Sequence, residues 1–332
     1  MSEILLVGEV NGGNLAEATA ELIAHGKPLA ESLTSSISVA LLDQDSTSAA
    51  QEAISQGADK VYNIKDSLLG TYQTDAYLAS LAKLIQEINP IAVLISKTEI
   101  GADIGARLAF RVDTGIVQDC IEVSVNSDNK IQANRPVFGG NCMATVVCES
   151  TPMMALIRPK TKEALEADTS RSGDVVDYNA NLDESVIKNQ VVERVEEVQE
   201  GIRLEDAARI VGGGRGMNGP EPFDNELKDL ADTMGAAIGA SRAAVDIGWV
   251  PYSYQIGLTG KKVAPDLYLL VGISGASQHM AGCSGSKNLV AINKDPDANI
   301  FRDARFGVVG DWEKVLPALT QQLKELMKFQ YN

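Results

Sequence analysis

Short apolar runs alternate with longer stretches of helical periodicity along the first third of the chain. Residues 4–10, 37–42 and 91–96 are rich in Ile, Leu and Val with little polar alternation, the pattern of strands covered on both faces. A shorter run at 60–64 fits the same reading. Between them the spacing predicts helices over 15–24, 46–56 and 75–88. Ser46 would cap the second, Gly57 would end it, and Asn89-Pro90 closes the third. Strand–helix units in series predict a parallel, doubly wound sheet. Ligands of such sheets sit beyond the strand carboxyl ends, here at 8–13 and 97–105. Gly12-Gly13 lacks a phosphate-binding pattern and reads as a turn.

Past Phe110 the texture changes. Alternating, β-branched runs at 115–125, 131–138, 143–148 and 153–157 predict added strands, some antiparallel. Residues 135–141, with Arg135 and Gly139-Gly140, read as a tight turn beside a cation. Residues 160–186 are polar and acidic and read as an exposed loop. The valines of 186–198 predict a strand returning to the first domain, with Glu193, Glu196, Glu197 and Glu200 as a solvated face. A hinge at 200–203 would then separate a first domain, 1–203, from a second, 204–332.

The second domain repeats the alternation. Strands are predicted at 207–211, 267–271, 289–292 and 307–309, and helices over 225–240 and 312–329. The turns at the strand ends carry the chemistry. After the first strand comes the glycine loop 211–219, with Arg215 placing a permanent cation where backbone N–H groups can approach a ligand. Gly214, Gly216 and Gly219 formally satisfy G-x-G-x-x-G. Pro220 and Pro222 interrupt before the helix, however, and a dinucleotide fingerprint opens directly into its helix. Ser241 can cap a helix start beside Arg242. Residues 254–261 form a turn presenting the Thr259 hydroxyl. The strand at 267–271 ends in a glycine turn, 272–279, the next at Asn293 and the last at Gly310-Asp311. In a parallel sheet these ends lie on one edge, so they predict one crevice for an extended ligand, with phosphates near helix starts and a carboxylate for a sugar or polyol hydroxyl. His279 has no Ser/His/Asp or Cys/His partner spacing; it suits a donor to negative charge developing on a ring oxygen.

Composition narrows the class. At 332 residues the chain exceeds what one core usually supports. Its 45% hydrophobic and 22% charged content is that of an ordinary globular protein. A net charge of -16 disfavours nucleic acid or an anionic membrane as partner. Cys120, Cys142, Cys148 and Cys283 show no metal-type spacing, and with only His25 and His279 beside them a zinc site is not expected. The cysteines read as reduced thiols. No apolar run approaches the ~20 residues of a membrane span. Glu3, Glu9, Glu17 and Glu21 precede the first basic residue, Lys27, unlike a signal or transit peptide, so a cytoplasmic location is expected.

The strand-end segments together resemble the alpha subunit of electron-transfer flavoproteins. The resemblance spans essentially the whole chain. It rests on Gly213-Gly214-Arg215-Gly216, on 239–246 with Ser241 and Arg242, and on Gly257-Leu258-Thr259-Gly260-Lys261. It rests equally on 271–279 (Val-Gly-Ile-Ser-Gly-Ala-Ser-Gln-His), on 290–296 with Asn293, and on 135–140 in the first domain.

The resemblance implies an α/β chain of two doubly wound domains, the second a Rossmann-like FAD-binding domain, and a beta-subunit partner on which the first domain packs. The protein would be an electron carrier rather than a classical enzyme, serving acyl-CoA dehydrogenase-type flavoproteins. If the chain belongs to the branch that bifurcates electrons from NADH, ferredoxin or flavodoxin would be a further partner, and the loop 97–107 could face a second flavin. By position, Thr259 would meet flavin N5, His279 would lie near O2 and Arg242 against the ring, favouring its reduced, negative forms. Arg215, Ser241, Ile256, Gly257, Leu258, Ser274, Gly275, Ala276, Ser277, Gln278, Asn293, Asp311 and Trp312 would hold the rest of the FAD. Leu258 departs from the family, in which many members carry Gln; the side-chain hydrogen bond is lost there, leaving the backbone N–H to serve. An NAD-dependent dehydrogenase and a non-catalytic nucleotide-binding module are the competing readings. The first would need an intact fingerprint and a catalytic acid–base pair; the second would be colourless.

Overall fold

The computed structural model describes residues 2–140, 142–189, 191–193 and 201–330, the side chains of 139 and 327–330 excepted. The chain divides into two compact units, one of Met1–Phe138 with Cys142–Val195 and one of Glu196–Asn332 with Gly139–Asn141.

In the first unit the apolar runs become strands because both of their faces are needed. In β1 (Glu3–Gly8), Ile4 and Leu6 point into one core layer while Leu5 and Val7 point into the other, the two-residue period of a pleated strand. A two-stranded ribbon, β2 (Val10–Asn11) and β3 (Asn14–Leu15), comes next, then α1 (Glu17–Leu33), β4 (Ser36–Asp43), α2 (Thr47–Ser55), β5 (Lys60–Lys65), α3 (Thr74–Ile88), β6 (Ala92–Ser96) and α4 (Glu99–Arg111). After them stand β7 (Ile116–Cys120), β8 (Glu122–Val125), β9 (Ile131–Val137), β10 (Cys142–Val147), β11 (Met153–Ile157) and β12 (Asp174–Tyr178). Seven of these strands form one sheet in the order β12-β5-β4-β1-β6-β11-β7, every pair parallel. Strands β10-β9-β8 form a separate antiparallel sheet.

Three expectations for this unit change. The stretch 160–186 is not wholly loop. Within it, β12 adds to the sheet edge beside β5. Its valines are exposed on one lone neighbour, so the burial signal that marks the inner strands is missing. No strand is present at 186–189 or 191–193, and the rest of the strand expected over 186–198, with Glu200 of the expected hinge, lies outside the described residues. Helix α1 also runs well past the expected 24, through Pro28 to Leu33, where Thr34 turns the chain at φ 51°.

The second unit holds β13 (Arg209–Gly213), α5 (Glu221–Asp224), α6 (Glu226–Met234), β14 (Ala237–Ser241), α7 (Arg242–Asp246), β15 (Gln255–Ile256), β16 (Leu267–Val271), α8 (Ser277–Cys283), β17 (Leu289–Asn293), α9 (Ile300–Asp303), β18 (Phe306–Val309) and α10 (Trp312–Gln330). Its six strands lie in the order β15-β14-β13-β16-β17-β18, all parallel. Numbered within the unit, that is 3-2-1-4-5-6, the doubly wound dinucleotide-fold order. Helices α6 and α10 cover one face around Val211, Leu269 and Ile292, and α8 and α9 cover the other around Ile210, Leu270 and Ala291.

The helix expected over 225–240 stops at Met234, where Gly235 takes φ +59°. Its expected last turn, Ala-Ile-Gly-Ala over 237–240, lies instead in the strand β14 (Ala237–Ser241). This strand carries too little apolar bulk to announce itself. The reason is tight packing: a Cβ on Gly239 would stand 2.4 Å from Ile256 Cδ1 on the neighbouring strand.

Candidate functional site

The chain of the second unit leaves β13 outward to β14 and β15, then crosses back to β16 on the other side of β13. The carboxyl ends of β13 and β16 therefore part at a topological switch point, where such sheets take their ligands. Every residue singled out from the sequence lies at that edge. Arg215 follows β13; Ser241 ends β14 and Arg242 opens α7; Ile256 ends β15 and runs into Gly257, Leu258 and Thr259. Ser274, Gly275 and Ala276 follow β16, while Ser277, Gln278 and His279 open α8. Asn293 ends β17, and Asp311 and Trp312 follow β18.

Backbone contacts stitch these turns into one rim. Gly214 N–H donates to Val271 O (2.8 Å) and Gly216 N–H to Gly272 O (3.0 Å). Cβ atoms at either Gly216 or Gly272 would come within 2.9 Å of the other's backbone, and Gly272 also takes φ +63°. Only glycine meets both demands. Gly275, at φ +80°, packs on Ile300 in the same way. Asn293 Nδ2 donates to Ile273 O (3.0 Å), and Trp312 Nε1 donates to Gly216 O (3.0 Å), tying the last turn to the first. Asp311 accepts Glu313 N–H (3.1 Å) at the start of α10.

The turn after β15 is clasped from three sides. The Tyr252 hydroxyl donates to Thr259 O, Gln255 Nε2 donates to Thr259 Oγ1 (3.0 Å), and Lys262 Nζ donates to Gly257 O (2.9 Å) and Leu258 O (3.1 Å). Leu258 N–H, expected to be free for a ligand, instead donates to Gln278 O (2.6 Å). The fold consumes it to join this turn to α8, and the Leu258 side chain is 51% exposed. Ser241 sits at the N-cap of α7 with extended backbone but makes no side-chain cap bond. Its hydroxyl, expected as a cap, has no such duty.

Two cations belong to the rim. Arg215 is exposed and forms no ion pair among the described residues. Arg242 Nε meets Asp246 Oδ2 at 3.1 Å, with side chains 65% and 57% exposed, an arrangement worth under about 1 kcal/mol and easily exchanged for another anion. His279 is different. It is buried, its Nε2 lies 3.1 Å from the Tyr268 hydroxyl, and burial lowers its basicity to a pKa of about 4 against the opposing pull of the Ile256 backbone. The ring is therefore neutral at pH 7, and Nδ1 has no partner in hydrogen-bond geometry. Tyr252, Lys262 and Tyr268 are the members that motif reading passed over, along with the supporting role of Gln255 inside the turn 254–261: Tyr252 and Lys262 stand just outside that turn, and Tyr268 is hidden in an apolar strand.

An extended nucleotide cofactor fits this donor set. The rim offers a free guanidinium, uncommitted serine hydroxyls, a carboxylate at Asp311 and glycines that bring bare backbone to the crevice. Nδ1 of His279 is buried with no partner in hydrogen-bond geometry, beside the Ile256 backbone that favours a proton on the ring. Among the described residues, no group of His, Cys, Asp and Glu could hold a metal ion, and no helix is long and apolar enough to cross a membrane.

Two family models match the chain: the electron transfer flavoprotein domain over residues 4–183 and the electron transfer flavoprotein FAD-binding domain over 203–284. Their bounds leave 184–202 between them, while the two compact units meet at 195 and 196. The electron transfer flavoprotein subunit alpha of Thermoanaerobacterium thermosaccharolyticum is 39% identical over 98% of both chains. That of Megasphaera elsdenii is 42% identical over 97% of this chain and 96% of its own. The acryloyl-CoA reductase electron transfer subunit beta of Anaerotignum propionicum is 34% identical over 97% of this chain and 96% of its own. With matches of this length on both units, the chain belongs to the family of electron transfer flavoprotein alpha subunits, and FAD is the cofactor of its second unit.

Proposed function

We propose that the carboxyl edge of the second unit's sheet is the FAD site of a two-subunit electron carrier. In this reading the chain pairs with a beta subunit and takes electrons from, or passes them to, acyl-CoA dehydrogenase-type flavoproteins. The name of the Anaerotignum propionicum relative, an electron transfer subunit of acryloyl-CoA reductase, supports an acyl-CoA-linked partner. When bound, FAD supplies a ring that takes up and returns electrons one or two at a time.

The chain's own residues bind and orient. Thr259 is held by Gln255 and Tyr252 so that its hydroxyl keeps one geometry. Gln255 occupies an acceptor site on Thr259 Oγ1, which leaves the hydroxyl proton as the group to offer outward. Arg242 can exchange Asp246 for the isoalloxazine edge and place positive charge beside it. Arg215, Ser241, Ser274 and Gln278 supply polar groups for the pyrophosphate and ribityl chain. Asn293, Asp311 and Trp312 wall the far end of the same rim. Ile256, Gly257, Leu258, Gly275, Ala276 and Ser277 bring backbone close.

The observation that carries this reading is the convergence of all these residues on one edge of a 3-2-1-4-5-6 sheet. The test is the visible absorption spectrum of the chain purified with its beta subunit. A flavin spectrum that Arg215→Ala with Ser274→Ala weakens supports it. A colourless complex that takes up no FAD would remove it and favour a nucleotide-binding module, while selective NAD binding would favour a dehydrogenase.

A further inference from the structure

Gly212, within β13, leaves room that a neighbour fills. A Cβ there would stand 2.4 Å from the hydroxyl of Tyr268 and 2.6 Å from its Cε2. The bare glycine thus lets the Tyr268 ring lie against β13 and bring its hydroxyl to 3.1 Å from His279 Nε2. The two ring centroids are 6.0 Å apart. Tyr268 is fully buried and His279 nearly so. Among the described residues the phenol has no second hydrogen-bond partner, and His279 Nδ1 has none.

Two proton arrangements fit this pair, and they differ in what they leave unsatisfied. If Nε2–H donated to the phenol oxygen, the phenol proton would have no acceptor and the Nδ1 lone pair no donor. That strands two buried polar groups, at about 1–3 kcal/mol each. If the phenol donates to Nε2, Nδ1–H is the one group short of hydrogen-bond geometry, and the Ile256 backbone still favours a proton on this ring. Burial also keeps the phenol protonated, far above its usual range, and the imidazole neutral. The adjacent Cys283 thiol, its Sγ 3.6 Å from His279 O, is pushed up to about 12 by burial and stays uncharged.

We propose that Tyr268 is a positioning residue of the candidate site: its hydroxyl donates to His279 Nε2 and fixes the imidazole as the Nδ1–H tautomer, a neutral donor beside the Ile256–Gly257 turn. As to why a donor is kept there, the inference rests on the flavin reading of the crevice. The tautomer itself follows from the buried pair alone. Through Gly212, the arrangement spans β13, β16 and α8, so the rigid centre of the sheet sets the protonation pattern at its ligand edge.

The experiment uses the complex with the beta subunit, labelled with 15N at histidine. Only His25 and His279 contribute from this chain, and a His25→Gln variant assigns them. The expected spectrum shows His279 Nδ1 at a protonated shift and Nε2 at an unprotonated one, with and without FAD. In Tyr268→Phe, which keeps the ring and removes the hydroxyl, the two shifts move toward averaging. The midpoint potential of bound FAD falls to more negative values at unchanged FAD content. An Nε2–H tautomer in the native complex overturns the proposal without any variant having to fold. So does a tautomer unchanged in Tyr268→Phe, or a changed tautomer with an unchanged potential. If FAD failed to bind at all, the flavin reading would fall while the spectrum of the FAD-free complex still decided the tautomer.

Discussion

Gly272 shows what one residue can decide in this site. Its φ of +63° lies where an L side chain is strained, and a Cβ would press on Gly216 at 2.9 Å. Strain of this kind costs about 1–3 kcal/mol, and relief would part the two turns that bracket the switch point. Gly272→Ala is expected to lower stability by about that amount in urea unfolding and to reduce FAD content in the purified complex. Arg242 makes the opposite kind of contribution, through charge rather than shape. Arg242→Ala is expected to shift the flavin potential to more negative values and Arg242→Lys to restore part of it; equal potentials in all three proteins would reject a role beside the ring. His279 sets a pH dependence. Its folded pKa of about 4 lies below the unfolded value near 6.5, so between those values the unfolded chain binds more protons. Stability from this group is complete above about pH 6.5 and declines as pH falls toward 4, by as much as about 3 kcal/mol. His25, lowered to about 4 by burial and by Lys162, acts in the same direction. Glu9 and Glu21, raised by burial, act oppositely, losing stability as pH rises past the ordinary carboxylate range. Unfolding midpoints at pH 7, 5.5 and 4.5, compared with His25→Gln, separate the two signs.

Elements were legible in the sequence to the degree that burial shaped their composition. β1, β4, β6 and β16 are nearly continuous apolar runs because helices cover both faces. β12 and β14 escaped for contrasting reasons: β12 is an exposed edge, and β14 is packed so closely that small residues replace bulk. The strand ends that make up the candidate site were more legible than the fold around them. Polar and glycine residues at strand ends stand out against an apolar background, whereas their supports do not. Tyr268 reads as one more core aromatic, and nothing in Gln255 or Lys262 signals that each holds the Thr259 turn. The fate of Leu258 N–H was likewise hidden, since its acceptor, Gln278 O, is a backbone atom on a different element. At this scale α10 offers a clean test. Trp312→Phe keeps an aromatic ring there and removes the bond to Gly216 O, so a loss of about 1 kcal/mol is expected from the bond alone. A larger loss would mean the indole also carries packing that phenylalanine cannot replace.

The whole chain is two compact units with separate cores. Between the two family domains the described flanks are exposed: Val192 is 97% exposed, Glu193 is exposed, and Gly201 takes φ +99° with Ile202 open to solvent. A glutamate-specific protease is expected to cut first near Glu193, leaving two fragments that each melt cooperatively. First cuts within 17–130 or 226–313 would contradict that division. The net charge of -16 favours approach of a basic partner, and association with such a partner is expected to weaken with added salt.

The two-residue strand β15 has a kinetic consequence. Its sheet ladder reaches only Ala240 and Ser241 at the end of the sheet, and beyond it an isolated Ile256–Lys261 bridge, a few turn hydrogen bonds and the clasping side chains hold the chain rather than a continuous ladder. Segments secured in this way open locally at far lower cost than the whole domain. Backbone amides at 256–262 should therefore exchange with solvent deuterium well before those of β13 and β16 in the FAD-free complex, and slow sharply once FAD is added. The least stable strand of the unit would then serve as the door by which the cofactor enters a sheet that has already folded. Equal exchange with and without FAD would place that entrance elsewhere.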